Sequence, residues 1–134
     1  MTLNGTILLV DDEAHIRKYV GLIVRQLGRI KLVEAANGEE AIKVYQVEKP
    51  MLVLLDVNMP HMDGIETLRR LKQLDPDCRV VMLTSLANRQ TVEEALTLGA
   101  ANYIRKDTTR EEITKTLTET LQAAPDTGGE TTSP

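Results

Sequence analysis

Acidic residues stand directly after two apolar stretches of the chain, where their carboxylates could act together. Asp11, Asp12 and Glu13 follow the first stretch, and Asp56 follows the third. Two like charges 4 Å apart repel by roughly 4 kcal/mol at an effective dielectric near 20, so carboxylates brought together must be neutralised. A hard divalent cation with oxygen ligands would do so, and the ammonium of Lys106 would add positive charge.

These residue types suit the transfer of a phosphoryl group. A carboxylate can attack phosphorus to form an aspartyl phosphate, and the remaining work is to position and neutralise the phosphoryl oxygens. Asp56 is the expected nucleophile, with Thr84 and Lys106 as the other catalytic residues. Asp12 is expected to bind Mg²⁺ most directly and Asp11 largely through water. The expected metal ligands, for Mg²⁺ or for Mn²⁺ as a substitute, are Asp11, Asp12, Asp56 and the backbone carbonyl of Asn58.

Five short runs rich in Leu or β-branched residues alternate with five stretches of helical periodicity. The runs are Thr6–Val10, Lys31–Ala35, Met51–Leu55, Arg79–Leu83 and Ala101–Arg105. Continuous apolar runs predict parallel strands covered on both faces, and strict alternation predicts a doubly wound α/β sheet with right-handed crossovers. In such a sheet ligands lie outside the carboxyl ends of the strands. The acidic residues, Thr84 and Lys106 are therefore expected at one edge.

Apolar spacing and capping residues predict where the helices lie. The expected apolar helix faces are Ile16, Val20, Ile23 and Leu27; Ala41, Ile42, Val44 and Tyr45; Leu68, Leu71 and Leu74; Val92, Ala95 and Leu96; and Ile113, Leu117 and Leu121. Asn37, Asp63 and Thr109 each precede a Glu by three residues, which is the spacing of a capping box. Gly28 and Gly99 are expected to end the first and fourth helices.

Composition excludes several classes of function. The chain has three Tyr, no Trp and no Phe, and a net charge of −4, so this domain is not expected to bind nucleic acid directly. No apolar run is long enough to span a membrane, and the first residues lack signal-peptide features. A single cysteine, Cys78, is expected near the surface before a strand and suits a cytoplasmic location. Residues 1–124 are expected to form one domain, and Pro125–Pro134 a disordered tail.

Several motifs together resemble the receiver domains of bacterial response regulators, the phosphoryl-accepting proteins of two-component signalling. The motifs are Leu9-Val10-Asp11-Asp12-Glu13, Leu54-Leu55-Asp56-Val57-Asn58-Met59-Pro60, Asp63-Gly64, Leu83-Thr84-Ser85 and Gly99-Ala100 with Tyr103-Ile104-Arg105-Lys106. The match runs from about Gly5 to Ala124. The resemblance implies a flavodoxin-like (βα)5 fold of three layers, with strand order 2-1-3-4-5.

The resemblance also implies a signalling role and its partners. Asp56 is the implied phosphorylation site, and Thr84 and Tyr103 the implied switch residues. The implied donor is a sensor histidine kinase or a phosphotransfer protein, and the implied recipient is an effector protein or an output domain. A homodimer formed on phosphorylation fits the same pattern, whereas membrane binding does not. The family catalyses only its own phosphorylation and dephosphorylation, so no enzyme acting on other substrates is expected.

One residue departs from the family pattern, and three alternatives remain open. Asp107 stands where the family usually has proline, often after a cis bond. A cis bond before a residue other than proline is costly, so a trans Lys106–Asp107 bond is the expected alternative.

A Mg²⁺-dependent phosphatase of the haloacid dehalogenase type would need an acid at position 58, where this chain has Asn58. A flavin-binding module would need a Ser-, Thr- or Gly-rich loop after the first strand. A receiver-like module that binds partners without phosphorylation is the third alternative. Whether the chain is a single-domain regulator or part of a longer, DNA-binding one also stays open.

Overall fold

The computed structural model describes residues 3–59, 62–85 and 89–122. Within them, five strands alternate with five helices, as the hydrophobic pattern predicts. In chain order the elements are β1 (Leu3–Val10), α1 (Ala14–Arg25), β2 (Gly28–Ala35), α2 (Gly38–Glu48), β3 (Leu52–Asp56), α3 (Gly64–Leu74), β4 (Val80–Thr84), α4 (Arg89–Thr97), β5 (Asn102–Arg105) and α5 (Arg110–Gln122). The expected segment Pro125–Pro134 lies outside the described residues.

The five strands form one parallel sheet in the order β2-β1-β3-β4-β5. This confirms the flavodoxin-like order that the family resemblance implied. The order reverses between β1 and β3, which pair directly, with Val10 opposite Leu55. The carboxyl ends of these two neighbouring strands therefore lie side by side, which is where open α/β sheets bind ligands.

Apolar residues on alternate positions of the strands fill two cores, one on each face of the sheet. Leu8, Val10, Val53 and Leu55 pack with α2, α3 and α4 on one face. Ile7, Leu9, Leu52 and Leu54 pack with α1 and α5 on the other. Each fully buried Leu or Ile contributes about 2 kcal/mol of hydrophobic stabilisation, so β1 and β3 form a rigid base for whatever follows them.

The predicted N-caps of three helices are confirmed. Asn37 Oδ1 accepts a hydrogen bond from the Glu40 N–H, and Asp63 Oδ1 accepts one from the Glu66 N–H. Thr109 Oγ1 accepts one from the Glu112 N–H at 3.1 Å. Each bond satisfies an N–H group that has no partner within its own helix. Gly99 follows α4 with φ 108°, as predicted for the residue that ends a helix.

Several predictions of local structure were wrong. Gly28 does not end α1, which stops at Arg25; it begins β2, three residues earlier than predicted. Leu74 and Leu96 were assigned to apolar helix faces but are 47% and 45% exposed. Cys78 was expected near the surface but is buried, because it turns into the core below β4.

Helices in the described part of the chain are too short or too polar to cross a membrane.

Candidate functional site

The two neighbouring strands at the reversal point carry one buried carboxylate each. Asp56 is the last residue of β3 and is 1% exposed. Asp11 directly follows β1 and is completely buried, and its N–H donates to the Ala35 carbonyl at 3.1 Å, which extends the pairing with β2. Apolar strands thus carry both carboxylates into a position that an isolated acidic side chain would avoid.

The predicted acidic residues do come together. Asp11, Asp12 and Asp56 each offer a carboxylate oxygen, and these oxygens lie within 4.8 Å of one another. Asp12 is exposed, so the group opens to solvent on one side. We call these three residues the acidic pocket.

Lys106 reaches into the acidic pocket from the end of β5. Its Nζ lies 2.8 Å from Asp11 Oδ2 and 3.0 Å from Asp56 Oδ1. Glu13 Oε1 lies further away, at 3.6 Å. The side chain of Lys106 is only 9% exposed, so dissolved ions screen these ion pairs much less than they screen surface pairs.

The charge of Asp56 is nonetheless disfavoured. Burial, followed by the negative charge of Asp11, raises the pKa of Asp56 from its ordinary 3.8 to about 7, although Lys106 acts in the opposite direction. Burial also works against the charge on Lys106, but its hydrogen bonds to Asp11 and Asp56 outweigh that effect and raise the pKa of Lys106. One ammonium therefore does not neutralise the pocket fully.

Two oxygens of the acidic pocket are short of partners. Asp56 Oδ2 and Asp11 Oδ2 are buried and accept no hydrogen bond of good geometry from the described residues. For Asp11 Oδ2 the ammonium of Lys106 lies at ion-pair distance, whereas Asp56 directs its other oxygen, Oδ1, toward that ammonium. Three carboxylates that share one ammonium keep uncompensated negative charge, and such a set of oxygen ligands fits a hard divalent cation such as Mg²⁺.

The remaining predicted residues lie on the same edge of the sheet, with one exception. Asn58 follows Asp56 closely and donates its N–H to Asp56 Oδ1 at 3.2 Å. Thr84 ends β4 and is 3% exposed, and its carbonyl accepts from the Lys106 N–H. The exception is Tyr103, which lies two residues before the end of β5, opposite Met82 on β4, and is 38% exposed.

Two residues near the acidic pocket had been assigned no functional role from the sequence. Arg17 looks like an exposed helix residue in the sequence, but it is 20% exposed and donates to the backbone carbonyl of Asp11. Gly64 is tightly packed, since a Cβ there would lie 2.1 Å from the Asp56 carbonyl oxygen. The Asp63-Gly64 motif signals this position, whereas no periodicity signals Arg17.

The loop after Lys106 is held by a side-chain pair. Arg105 contacts Asp107 through two bonds, Nε to Oδ1 at 3.0 Å and Nη2 to Oδ2 at 2.8 Å. No cis peptide bond occurs in the described ranges, which include this loop, so the Lys106–Asp107 bond is trans. With a trans bond and Asp107 at this position, Lys106 still reaches both buried carboxylates.

A second concave feature lies at the opposite, amino-terminal edge of the sheet. It is a cleft of about 660 Å³ lined by Tyr45, Lys49, Met51, Asp75 and Arg79, among others. Its charges are of both signs, and Tyr45 donates to Asp75 Oδ2 at 2.7 Å. None of the acidic-pocket residues borders it, so the chemistry indicated by Asp56 belongs to the other edge.

Known proteins resemble this chain in both its open parallel α/β sheet and its sequence. The chain matches the family model for the response regulator receiver domain over residues 7–118. It is 34% identical over 115 residues to the chemotaxis protein CheY of Bacillus subtilis, covering 86% of this chain and 96% of that protein. It is 37% identical to the sporulation initiation phosphotransferase F of the same organism, covering 83% of this chain and 89% of that protein.

A longer relative and two solved structures are also similar to this chain. The nitrate/nitrite response regulator NarL of Escherichia coli is 38% identical over 84% of this chain, which spans only 53% of that protein. The receiver domain of NarL from Mycobacterium tuberculosis superimposes with a TM-score of 0.82 at 28% identity, over 90% of this chain and 98% of that one. A chain of the CheX–CheY–BeF3–Mg complex from Borrelia burgdorferi superimposes with a TM-score of 0.78 at 31% identity, over 85% of this chain and 87% of that one. The chain belongs to the response regulator receiver family of two-component signal transduction.

Proposed function

We propose that this receiver domain accepts a phosphoryl group on Asp56. The observation that carries the proposal is the difference between the contacts of the two Asp56 carboxylate oxygens. Its Oδ1 lies 3.0 Å from Lys106 Nζ and accepts from the Asn58 N–H, while its buried Oδ2 accepts no hydrogen bond from the described residues. One oxygen is thus held in place, and the other keeps its lone pairs for a new bond.

A divalent cation completes this proposal. Asp11, Asp12 and Asp56 would hold Mg²⁺ through carboxylate oxygens, and the backbone carbonyl of Asn58 is a further proposed ligand. When bound, Mg²⁺ supplies positive charge that lowers the cost of bringing an anionic phosphoryl group among carboxylates. The same oxygen ligands suit Mn²⁺.

The proposed reaction is a transfer from a phosphohistidine. A carboxylate oxygen of Asp56 forms a bond to phosphorus, the N–P bond breaks, and its electron pair stays on the imidazole nitrogen. The ammonium of Lys106, which lies 3.0 Å from Asp56 Oδ1, would stabilise the negative charge that builds up on the phosphoryl oxygens. Thr84, buried at the end of β4, is the proposed donor of a hydroxyl hydrogen bond to one of them.

The proposed output is a change in surface shape. Thr84 and Tyr103 lie on the neighbouring strands β4 and β5, and Tyr103 is partly exposed. When Thr84 turns toward the phosphoryl oxygens, Tyr103 occupies the space that it leaves, and the surface of α4, β5 and α5 changes. This works as a population shift, because the phosphoryl group stabilises one of two arrangements.

The proposed partners follow from this chemistry. The donor is a sensor histidine kinase or a phosphotransfer protein, and the recipient is an effector protein, an output domain or a second copy of the chain. The relatives include both nearly equal-length proteins and one about twice as long, so each kind of output is compatible with the family. The domain is proposed to act on no substrate other than its own phosphoryl group.

The direct test uses acetyl phosphate, a small phosphodonor, with Mg²⁺. We expect the intact mass of the wild-type protein to rise by one phosphoryl group, and expect no gain for Asp56→Asn. Asp77→Asn removes an equal charge from an exposed site near the opposite edge and should label like the wild type. An unlabelled wild type, or an Asp56→Asn variant that is still labelled, would rule out the proposal and leave a module that binds partners without phosphorylation.

A further inference from the structure

Arg17 links the start of α1 to the backbone that carries the acidic pocket. Its side chain is 20% exposed, although it lies in the first turn of a surface helix. Its Nη1 donates to the carbonyl oxygen of Asp11 at 2.5 Å, and its Nε donates to Glu34 Oε1 at 3.0 Å. One guanidinium thus joins the end of β2 to the turn after β1.

The Arg17 contact completes the anchoring of Asp11. The N–H of Asp11 donates to the Ala35 carbonyl, and its Oδ1 accepts from the Glu13 N–H at 2.9 Å. Its Oδ2 faces Lys106, as described above. Asp11 is completely buried, so water cannot easily replace a lost partner of its carbonyl group.

The carbonyl of Asp11 and the N–H of Asp12 belong to the same planar peptide group. A bond that fixes the carbonyl oxygen therefore fixes the plane from which Asp12 departs. Asp12 is the exposed member of the acidic pocket, and its side chain is less confined by packing than those of Asp11 and Asp56. The orientation of its carboxylate depends more strongly on the backbone that carries it.

We propose that Arg17 is a positioning residue for metal binding: it holds the Asp11–Asp12 peptide so that Asp12 faces the other two carboxylates. This inference rests on the proposed function, because it assumes that the acidic pocket binds a divalent cation. Arg17 itself touches neither the cation nor the phosphoryl group. Glu34 acts behind it, by fixing the guanidinium at its Nε.

A guanidinium is required for this role because the two contacts leave from different nitrogens of one rigid plane. A lysine at position 17 would keep the positive charge but would not make both contacts in the same geometry. Arg17→Lys therefore tests whether the geometry of the guanidinium is needed or its positive charge is enough. Glu34→Gln tests the same point in another way, since it leaves Arg17 in place and weakens only the contact that fixes its Nε.

The test measures Mn²⁺ binding to the whole chain, using the electron paramagnetic resonance signal of the free aqueous ion. We expect Arg17→Ala to raise the Kd for Mn²⁺ by about tenfold, the order found when residues supporting metal ligands are removed. Arg17→Lys should give nearly the same loss, and Glu34→Gln a smaller one. Arg25→Ala is the matched control, because Arg25 is an exposed arginine in the last turn of the same helix, at the opposite end from Arg17. Its Kd should equal that of the wild type.

The outcomes distinguish this inference from the proposed function. If the wild type binds Mn²⁺ and Arg17→Ala binds it equally well, the positioning role is wrong. If Arg17→Lys binds like the wild type, charge alone accounts for the effect, and the positioning role is again wrong. A wild type that binds no Mn²⁺ overturns the metal site and this inference together. If Arg17→Ala does not fold, the Arg17→Lys and Glu34→Gln values decide the question.

Discussion

Asp56 combines two requirements that oppose each other. The proposed reaction requires its carboxylate to be charged, but its position at the end of a fully buried strand disfavours the charge. Lys106 lies close enough to reduce that cost, yet it is shared with Asp11. The charged carboxylate of Asp56 is therefore destabilising at neutral pH, and a bound cation would reduce that cost.

The pKa of Asp56 leads to a prediction about stability. Because the pKa of about 7 in the folded protein exceeds the ordinary 3.8, the folded protein keeps a proton that the unfolded chain releases. This contribution to the free energy of unfolding is fully present at low pH and is lost as pH rises toward about 7. Asp56→Asn, which carries no charge, should be more stable than the wild type at pH 8 by roughly 4 kcal/mol, with little difference near pH 4.

Urea unfolding in EDTA at several pH values measures this difference. Asp77→Asn, at an exposed site, should not reproduce the pH dependence. Adding Mg²⁺ at pH 8 should stabilise the wild type more than Asp56→Asn, because only the wild type offers all three carboxylates. A gain that is the same at pH 4 and pH 8 would mean that the charge of Asp56 is not its cause.

At the scale of the elements, the start of α3 determines how the backbone after Asp56 turns. Gly64 donates its N–H to the Val57 carbonyl at 2.8 Å and lies directly against the backbone of Asp56. The preceding residue, Asp63, caps the helix. The motif Asp63-Gly64 therefore closes the loop that begins at the proposed phosphorylation site.

Replacing Gly64 with alanine should disrupt this packing. The added Cβ would lie 2.1 Å from the Asp56 carbonyl oxygen and 2.7 Å from the Val57 Cα, and backbone atoms cannot move aside as side chains do. We expect a loss of about 2 to 3 kcal/mol in the free energy of unfolding. Gly21→Ala is the matched control in α1, where the nearest atom is the flexible Leu32 Cδ2. Its effect on urea unfolding should be small, and equal losses in both variants would contradict the argument.

The cap of α3 can be tested separately. Asp63→Ala removes the acceptor for the Glu66 N–H and should lower the free energy of unfolding by about 1 kcal/mol. Asp63→Ser should recover most of that loss, because a serine hydroxyl can also accept the bond. Thermal unfolding of the three proteins measures the effect. A serine variant as unstable as the alanine variant would show that the cap bond is not what matters.

The same elements show which features a sequence can and cannot predict. The caps were predictable because they depend on residues three positions apart, as with Asn37 and Glu40. The exposure of Leu96 was not predictable, because periodicity gives the spacing of a helix face but not how far a neighbour covers it. Arg17 was missed for a related reason: its partners, Asp11 and Glu34, lie in other elements.

At the scale of the whole molecule, the sheet separates two edges with different chemistry. The carboxyl edge gathers the acidic pocket and Lys106, and the amino edge carries a cleft of mixed charge. The alternation of strands and helices predicted that Asp11 and Asp56 share an edge, but the neighbouring positions of β1 and β3 came from the family resemblance. Strand order depends on contacts between distant segments, which hydrophobic periodicity does not encode.

A switch that reaches the surface of this molecule should be visible at one tyrosine. The chain has three tyrosines, and two of them, Tyr19 and Tyr103, are equally exposed at 38%, while Tyr45 is buried. With 3-fluorotyrosine incorporated, the ¹⁹F NMR spectrum should show three signals, assigned by replacing each tyrosine with phenylalanine. On addition of Mg²⁺ and beryllium fluoride, a mimic of the phosphoryl group, we expect the Tyr103 signal to shift most.

We expect Tyr103 to respond more strongly than Tyr19 because its strand pairs directly with the strand that carries Thr84. Tyr103 lies on β5, paired with the strand that ends in Thr84, whereas Tyr19 lies on α1 across the opposite face of the sheet. A rearrangement that begins at the phosphoryl oxygens therefore reaches Tyr103 first, and Tyr19 acts as an internal control of equal exposure. Asp56→Asn should abolish the shift, because the carboxylate proposed to hold the beryllium is then missing, while Asp11 and Asp12 are unchanged. Equal shifts of Tyr19 and Tyr103 would indicate a general change of the whole domain, and an unmoved Tyr103 signal would remove this residue from the switch.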